Sequence, residues 1–262
     1  MAKRSLQKKR VVITGASSGI GWHLALQLAK EQADIVVCAR REERLAKLKN
    51  EIESSGGNCF SVAGDITDPQ TRARLIETCE TKLGGLDVLI NNAGIGAMGR
   101  FDEADAGRMR EIFEVNFFAV ADTIRECLPL IKRGKKPIIV NISSVLGHRA
   151  APLKSEYCAS KFALHGFSDS LRAELTKDKI DLLLVSPSTT DSEFFDSAIE
   201  DKTGKNWKQR SAMPPEVVAA KTIRAIKKGK HEIILTHGGR FIVWLDRLIP
   251  GIANRMMARF GQ

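Results

Sequence analysis

The sequence predicts a doubly wound α/β domain: one sheet of about seven parallel strands in a three-layer sandwich, with helices on both faces. Two observations predict it. Short apolar runs alternate with amphipathic helical stretches from residue 10 to residue 236. The runs are apolar at consecutive positions, as in strands covered on both faces, and β-α-β alternation implies parallel pairing through right-handed crossovers. No linker, repeat or low-complexity segment interrupts the pattern before residue 236, and 262 residues suit one large domain.

The elements follow in order. Residues 10–14 (RVVIT) read as a first buried strand, and WHLALQLAKEQ continues as a helix. A second strand spans 34–39, a charged helix 41–56 and a third strand 58–65. Asp68 is a good N-cap and Pro69 suits the first helical position, so a helix starts there. Residues 86–94 form a fourth strand, a long helical stretch reaches Leu130, and 137–144 form a fifth strand. A helix carrying Tyr157 and Lys161 leads to a sixth strand at 180–187. After a polar insert, PPEVVAAKTIRAIKKG reads as a helix ending at Gly229, and 231–236 closes the sheet.

Composition narrows the class. Hydrophobic residues make up 43%, enough for a substantial core, and no run of eighteen apolar residues suggests a transmembrane span. The start, MAKRSLQKKR, is basic but lacks the apolar stretch of a signal peptide. Five scattered cysteines fit reduced thiols in a cytoplasm better than a disulfide framework or a metal site. The formal charge of +10 invites nucleic acid, an anionic membrane or an anionic ligand as partner. No helix-turn-helix, zinc-knuckle or stacked-aromatic motif supports nucleic acid. Solvated helix faces and a basic N-terminal arm account for most of the charge.

Three segments carry chemistry. Directly after the first strand, T14-GASSGIG opens a helix, with Gly15, Gly19 and Gly21 permitting a tight turn and close approach to a pyrophosphate. Ser17, Ser18 and Ile20 belong to the same phosphate-binding turn. The second strand ends at Ala39, followed by Arg40 and Arg41, where a carboxylate for ribose hydroxyls would otherwise stand. Arg40 suits a 2′-phosphate, with Ser17 assisting, so NADP(H) is favoured over NAD(H). Tyr157, the only tyrosine, precedes Lys161 by four residues on a helix, so both project the same way. A phenol beside an ammonium has a lowered pKa and can exchange a proton near neutrality.

In these motifs the chain resembles the short-chain dehydrogenase/reductase family, in its compact Rossmann-type form, over roughly residues 8 to 236. The resemblance rests on T14-GASSGIG, Asp65-Ile66, N91-NAG, the Asn116 helix, N141-ISS and Y157-CASK in this order. It implies that Asp65 and Ile66 lie against the adenine, and that Asn92, Ala93 and Gly94 line the cofactor. It implies a catalytic tetrad of Asn116, Ser144, Tyr157 and Lys161. Tyr157 would give its proton to a carbonyl oxygen that Ser144 positions, Lys161 would lower the tyrosine pKa and bind ribose, and Asn116 would hold a water beside Lys161. Ser143 competes with Ser144 but is expected to face away. The run S186-PSTTDSEF departs from the family: Pro187 is kept, Ser188 replaces a glycine, and Ser192 stands where a threonine is usual. Thr190 is expected to anchor the carboxamide through its backbone.

Substrate is expected between residues 95–101, 145–156 and an insert from Ser188 to about Met213, read as a mobile lid with short helices. Phe194, Phe195 and Trp207 in that insert either meet an apolar substrate or pack the lid, and His148 is a weaker contact. The tail, 239–262, is dense in apolar residues punctuated by Arg240, Arg247, Arg255 and Arg259 and broken at Pro250-Gly251. It reads as an interfacial amphipathic element, a dimer contact or a flap. The expected activity is hydride transfer between nicotinamide and a carbonyl or secondary alcohol, on a lipid- or steroid-like small molecule. A homodimer or homotetramer pairing residues 102–130 and 155–178 follows from the resemblance. The rival reading is a non-catalytic, nucleotide-sensing protein on the same fold. A sugar-nucleotide epimerase would need a longer substrate domain.

Overall fold

The computed structural model describes residues 4–194, 199 and 212–260. Seven strands form one sheet: β1 (Arg10–Thr14), β2 (Asp34–Ala39), β3 (Asn58–Ala63), β4 (Val88–Asn91), β5 (Ile138–Ile142), β6 (Asp181–Ser186) and β7 (Glu232–Ile234). Their order is β3-β2-β1-β4-β5-β6-β7, and every pairing is parallel. Strand order reverses between β1 and β4. At that switch point the segments that follow β1 and β4 pass to opposite faces of the sheet, which opens a crevice at the carboxyl ends of the two strands.

Alternation along each strand builds two cores. Val11 and Ile13 of β1 and Val88 and Ile90 of β4 belong to one buried cluster, and Val12 and Leu89 to the other. The first is closed by α1 (Gly19–Lys30), α2 (Glu42–Ser54) and, beyond the insert, a helix that supplies Val218, Ile223 and Ile226. The second is closed by α3 (Pro69–Thr78), by a helical region from residue 108 to 132, and by a helix that supplies Leu164 and Leu175. Asp68 caps α3 as its position predicts, accepting from Gln70 N at 3.0 Å and Thr71 N at 3.3 Å.

The region read as one long helix before Leu130 is broken. It consists of α4 (Arg108–Phe113), a π-helical turn over Glu114–Phe118 and α5 (Ala119–Lys132). Next come α6 (Ser155–Leu175), α7 (Pro215–Lys227), α8 (His237–Leu248) and α9 (Pro250–Phe260). β1 and β2 match the predicted runs, and β3 to β7 are shorter than theirs. The N-terminal arm is not wholly solvated either. Arg4 is buried, paired with Asp181 at 2.5 Å and donating to Ile226 O and Lys136 O. All five cysteines are free and buried. Among the described residues no helix is long and apolar enough to cross a membrane.

Candidate active site

The turn after β1 is pressed against the exit of β4. Gly15 has φ +66°, and a Cβ there would lie 2.7 Å from the Ala93 Cα. A Cβ on Gly21 would lie 2.5 Å from Gly15 O. Asn92 ties the two segments together: its Nδ2 donates to Thr14 O and Gly15 O, both at 3.0 Å, and Thr14 Oγ1 accepts from Asn92 N and Ala93 N. This packing leaves the free N–H groups at the start of α1 facing the crevice, where they suit an anion.

A cavity of about 510 Å³ fills the crevice. It runs from Arg40, Asp65 and Ile66, past the glycine turn and Asn92 to Gly94, to Ser144, Tyr157 and Lys161. Pro187, Thr190 and Ser192 border it as well. Of the expected catalytic and cofactor-binding residues, Gly21 and Asn116 do not line it; both are buried directly behind. Asp65 is held in a local turn, its Oδ1 accepting from the Thr67 N–H and hydroxyl at 2.9 Å each.

Tyr157 and Lys161 lie on α6, whose start brings them beneath the end of β5. The Tyr157 hydroxyl faces Ser144, which favours its ionised form, and Lys161 Nζ is 5.8 Å from the centre of the tyrosine ring. Lys161 is buried and donates to Ile142 O at 3.1 Å. Ser144 Oγ also accepts from Leu146 N at 3.1 Å, which fixes its rotamer. Ser143 Oγ is buried and has no hydrogen-bond partner among the described residues. Burial pushes the Tyr157 phenol above its ordinary value, opposed in part by the Ser144 bond. Burial lowers Lys161 to about 8. The lowered phenol expected from a neighbouring ammonium is therefore outweighed by desolvation.

Asn116 sits in the π-helical turn, fully buried. Its Oδ1 accepts from Ile95 N at 2.9 Å, and its Nδ2 donates to Ile95 O at 2.9 Å and Ser160 Oγ at 3.0 Å. The side-chain amide is thus committed to protein partners. It pins the segment after β4 to α6. A Cβ placed on Gly94 would lie 3.1 Å from Asn116 Oδ1 and 3.6 Å from Lys161 Nζ, so the three meet at one point.

At the other end of the cavity it is Arg41, not the expected Arg40, that turns towards the serines. Arg41 donates to Ser17 Oγ at 3.1 Å and Ser18 Oγ at 2.7 Å, and pairs with Glu193 at 2.7 Å. Glu193 also holds Arg44 at 2.8 Å. Arg40 is exposed at the cavity rim. The doublet at the strand end marked this corner, but only the start of α2 decides which guanidinium turns towards the serines.

The backbone at Ser188 lies outside the left-handed region, so serine replaces glycine there without strain. Thr190 bridges to Met213, closing the base of the insert, and the Ser192 Cβ would be 3.2 Å from a Cβ on Gly19. Phe194 sets its ring edge-on to Tyr157, with centroids 5.7 Å apart. Phe195, Trp207 and most of the expected lid lie outside the described residues. His148, considered as a substrate contact, is turned away from the cavity and buried against Ser186 and Glu232.

Fold and site together define a nucleotide-crevice oxidoreductase. The short chain dehydrogenase profile matches residues 9–203. The chain is similar to dehydrogenase/reductase SDR family member 7B of Mus musculus, 33% identical over 98% of this chain and 82% of that protein. It is also similar to the ketoacyl reductase HetN of Nostoc, 31% identical over 98% of this chain and 91% of the other. Among solved structures, a short chain dehydrogenase from Burkholderia cenocepacia in complex with NADP superposes with TM-score 0.79 at 26% identity, covering 90% and 100% of the two chains. One from Burkholderia phymatum in complex with NAD shares the fold, with TM-score 0.87 at 24% identity over 95% and 96%. This chain belongs to the short-chain dehydrogenase/reductase family. It is an oxidoreductase of the kind that uses a nicotinamide cofactor.

Proposed function

We propose that the protein is an NADP(H)-preferring oxidoreductase that interconverts a carbonyl and a secondary alcohol, with Tyr157 as general acid and base. The observation that carries this reading is the Tyr157 hydroxyl facing Ser144 inside the cavity, with buried Lys161 beside the ring. The glycine cradle, the open N-terminus of α1 and the arginine-serine corner suit the pyrophosphate and a 2′-phosphate. When bound, the nicotinamide cofactor supplies or accepts the hydride. Tyr157, held protonated at neutral pH by burial, donates to the substrate oxygen in reduction. Ser144 hydrogen-bonds that oxygen and stabilises the charge that develops on it. Lys161 supplies positive charge that offsets the forming phenolate. Asn116 positions Ile95 and Ser160, and any proton relay at the π-helical turn runs through backbone rather than its amide.

Arg40 is proposed as the 2′-phosphate ligand, with Arg41 holding Ser17 and Ser18 in place. Phe194, Met98, Val145 and Leu146 line the nicotinamide end of the cavity and favour an apolar substrate. Exposed Phe101, Met109, Phe118 and Phe162, on and beside α4 to α6, favour a homodimer or homotetramer through these helices. Phe241, Trp244, Leu248, Ile252 and Met256 form an exposed apolar stripe on α8 and α9, flanked by Arg247, Arg255 and Arg259. That pattern favours peripheral contact with an anionic membrane on the cytoplasmic side. The test is a panel of ketones, aldehydes and hydroxysteroids read by NADPH and NADH absorbance. NADPH-dependent turnover is expected, with the preference over NADH narrowed in Arg40→Ala. Cofactor binding with no turnover on any substrate supports the nucleotide-sensing alternative.

A further inference from the structure

Three residues far apart in the sequence meet beside β6 and β7. His148 follows the turn after Ser144, His165 lies on α6 four residues beyond Lys161, and Glu232 opens β7. His148 Nε2 is 3.1 Å from Glu232 Oε1 and 3.0 Å from Ser186 Oγ. His165 Nε2 is 4.0 Å from the same Oε1. One ligand atom from each of the three lies within 4.8 Å of the other two. The imidazoles meet edge to face, with centroids 4.3 Å apart.

We propose that His148, His165 and Glu232 form a binding site for a divalent transition-metal ion of the zinc type. The ring of His165 is oriented for it. Its Nδ1 is 3.3 Å from Gly147 O, and a carbonyl only accepts, so Nδ1 carries the hydrogen. In the neutral ring Nε2 is then a bare lone pair. It faces Glu232 and, at 3.4 Å, Asp169 Oδ2, and makes a hydrogen bond to neither. A lone pair set against two carboxylates repels them unless a cation lies between. Protons can serve the two rings separately, His148 through Glu232 and His165 through Asp169 at 3.4 Å. A single ion shared by both rings and the carboxylate satisfies all three groups. An imidazole whose second nitrogen donates to a backbone carbonyl is the usual arrangement of a metal-bound histidine.

The donor set and spacing select the metal. Two nitrogens and a carboxylate suit zinc or cobalt rather than magnesium or calcium. Zinc bonds of about 2.0–2.1 Å place tetrahedral ligand atoms about 3.4 Å apart, so ligand atoms that lie within 4.8 Å of one another draw in by at most about 1.4 Å. Ser186 Oγ is the nearest further oxygen. The His148 side chain is 2% exposed and its Nδ1 has no partner among the described residues; its Nε2 hydrogen goes to Glu232, and a bound ion would take that hydrogen's place. Two cations stand nearby: Arg172 holds Asp169 at 2.7 Å, and Arg247 faces Glu232. They leave Glu232 as the ligand and Asp169 as an outer partner. A bound ion would tie the segment after Ser144 to the helix bearing Tyr157 and Lys161 and to the sheet edge.

The full-length protein, stripped with chelator, is titrated with Co²⁺ and then Zn²⁺. The expected result is one equivalent of Co²⁺ with visible absorption of low-coordinate geometry, displaced by Zn²⁺, and a Zn²⁺-dependent rise in Tm. His165→Ala and the isosteric Glu232→Gln each weaken binding by about tenfold or more and remove the Tm shift. Circular dichroism establishes that both variants are folded, and Glu232, at an exposed strand end, keeps the test open if His165→Ala is not. Absence of binding in the wild type, or unchanged binding in a folded variant, overturns the assignment; the latter places the ion at His23, His231 or His237.

Discussion

Lys161 shows how burial tunes a group before any partner does. Its ammonium is 4% exposed and is held by one carbonyl, so the neutral form is favoured and its pKa falls to about 8. Below that pH the lysine is charged; above it the charge is lost and the forming phenolate is no longer offset. Tyr157, shifted upward, stays protonated over the same range. The reductive kcat/KM is therefore expected to be flat up to about pH 8 and to fall above it, read from a pH–rate profile. A rate that rises through this window would show that the neutral lysine is the working form. The Tyr157–Lys161 spacing was legible in the sequence, because two residues four apart on a helix must share a face. The direction of the tyrosine shift was not, because it depends on how far tertiary packing excludes water from the phenol.

The strands and their order of occurrence were legible, since buried parallel strands announce themselves as continuous apolar runs. The π-helical turn at Glu114–Phe118 was not. It is stabilised by Asn116 bonding Ile95, twenty-one residues away, and Ser160 on another helix, contacts that no local pattern carries. The same holds for Arg10 and Asp87 at the amino ends of β1 and β4. Asp87 accepts from Arg10 Nε at 3.0 Å, Arg10 Nη2 at 2.7 Å, Arg10 N at 3.1 Å and Lys135 N at 2.6 Å. Burial works against its carboxylate, yet these bonds together hold the carboxyl below the usual range. A lowered carboxyl contributes stability that is present above the ordinary value of about 4 and lost as pH falls through the folded one. Asp87→Asn is expected to cost roughly 3 kcal/mol at pH 7 in urea unfolding, because Arg10 loses its charged partner. The difference from wild type should shrink below about pH 4. A gap that is constant with pH would assign the loss to packing instead.

Across the whole molecule, the chemistry gathers at the carboxyl ends of the strands while the strongest ion pairing of β1 and β4 lies at their amino ends. The tail packs on the segment after Ser144, where Arg149 pairs with Asp246 at 3.0 Å and donates to Asn254 Oδ1 at 2.8 Å. Its amphipathic character was legible because apolar and basic residues alternate with helical spacing, whereas its partner was left open among membrane, second subunit and flap. In the folded chain Trp244 and Leu248 are 57% and 59% exposed, so both offer apolar surface to a partner. The double change Trp244→Ser with Leu248→Ser is expected to reduce sedimentation with anionic vesicles several-fold while leaving subunit mass unchanged by analytical ultracentrifugation. A drop in mass with unchanged vesicle binding would make the tail a subunit contact.

The most direct measurement is turnover and cofactor affinity of Tyr157→Phe beside the wild type. If the phenol in the Ser144–Lys161 corner moves the proton, kcat falls by about 10²–10⁴-fold while the affinity for NADPH, read by fluorescence, changes little. A folded Tyr157→Phe protein that keeps its turnover would contradict the account.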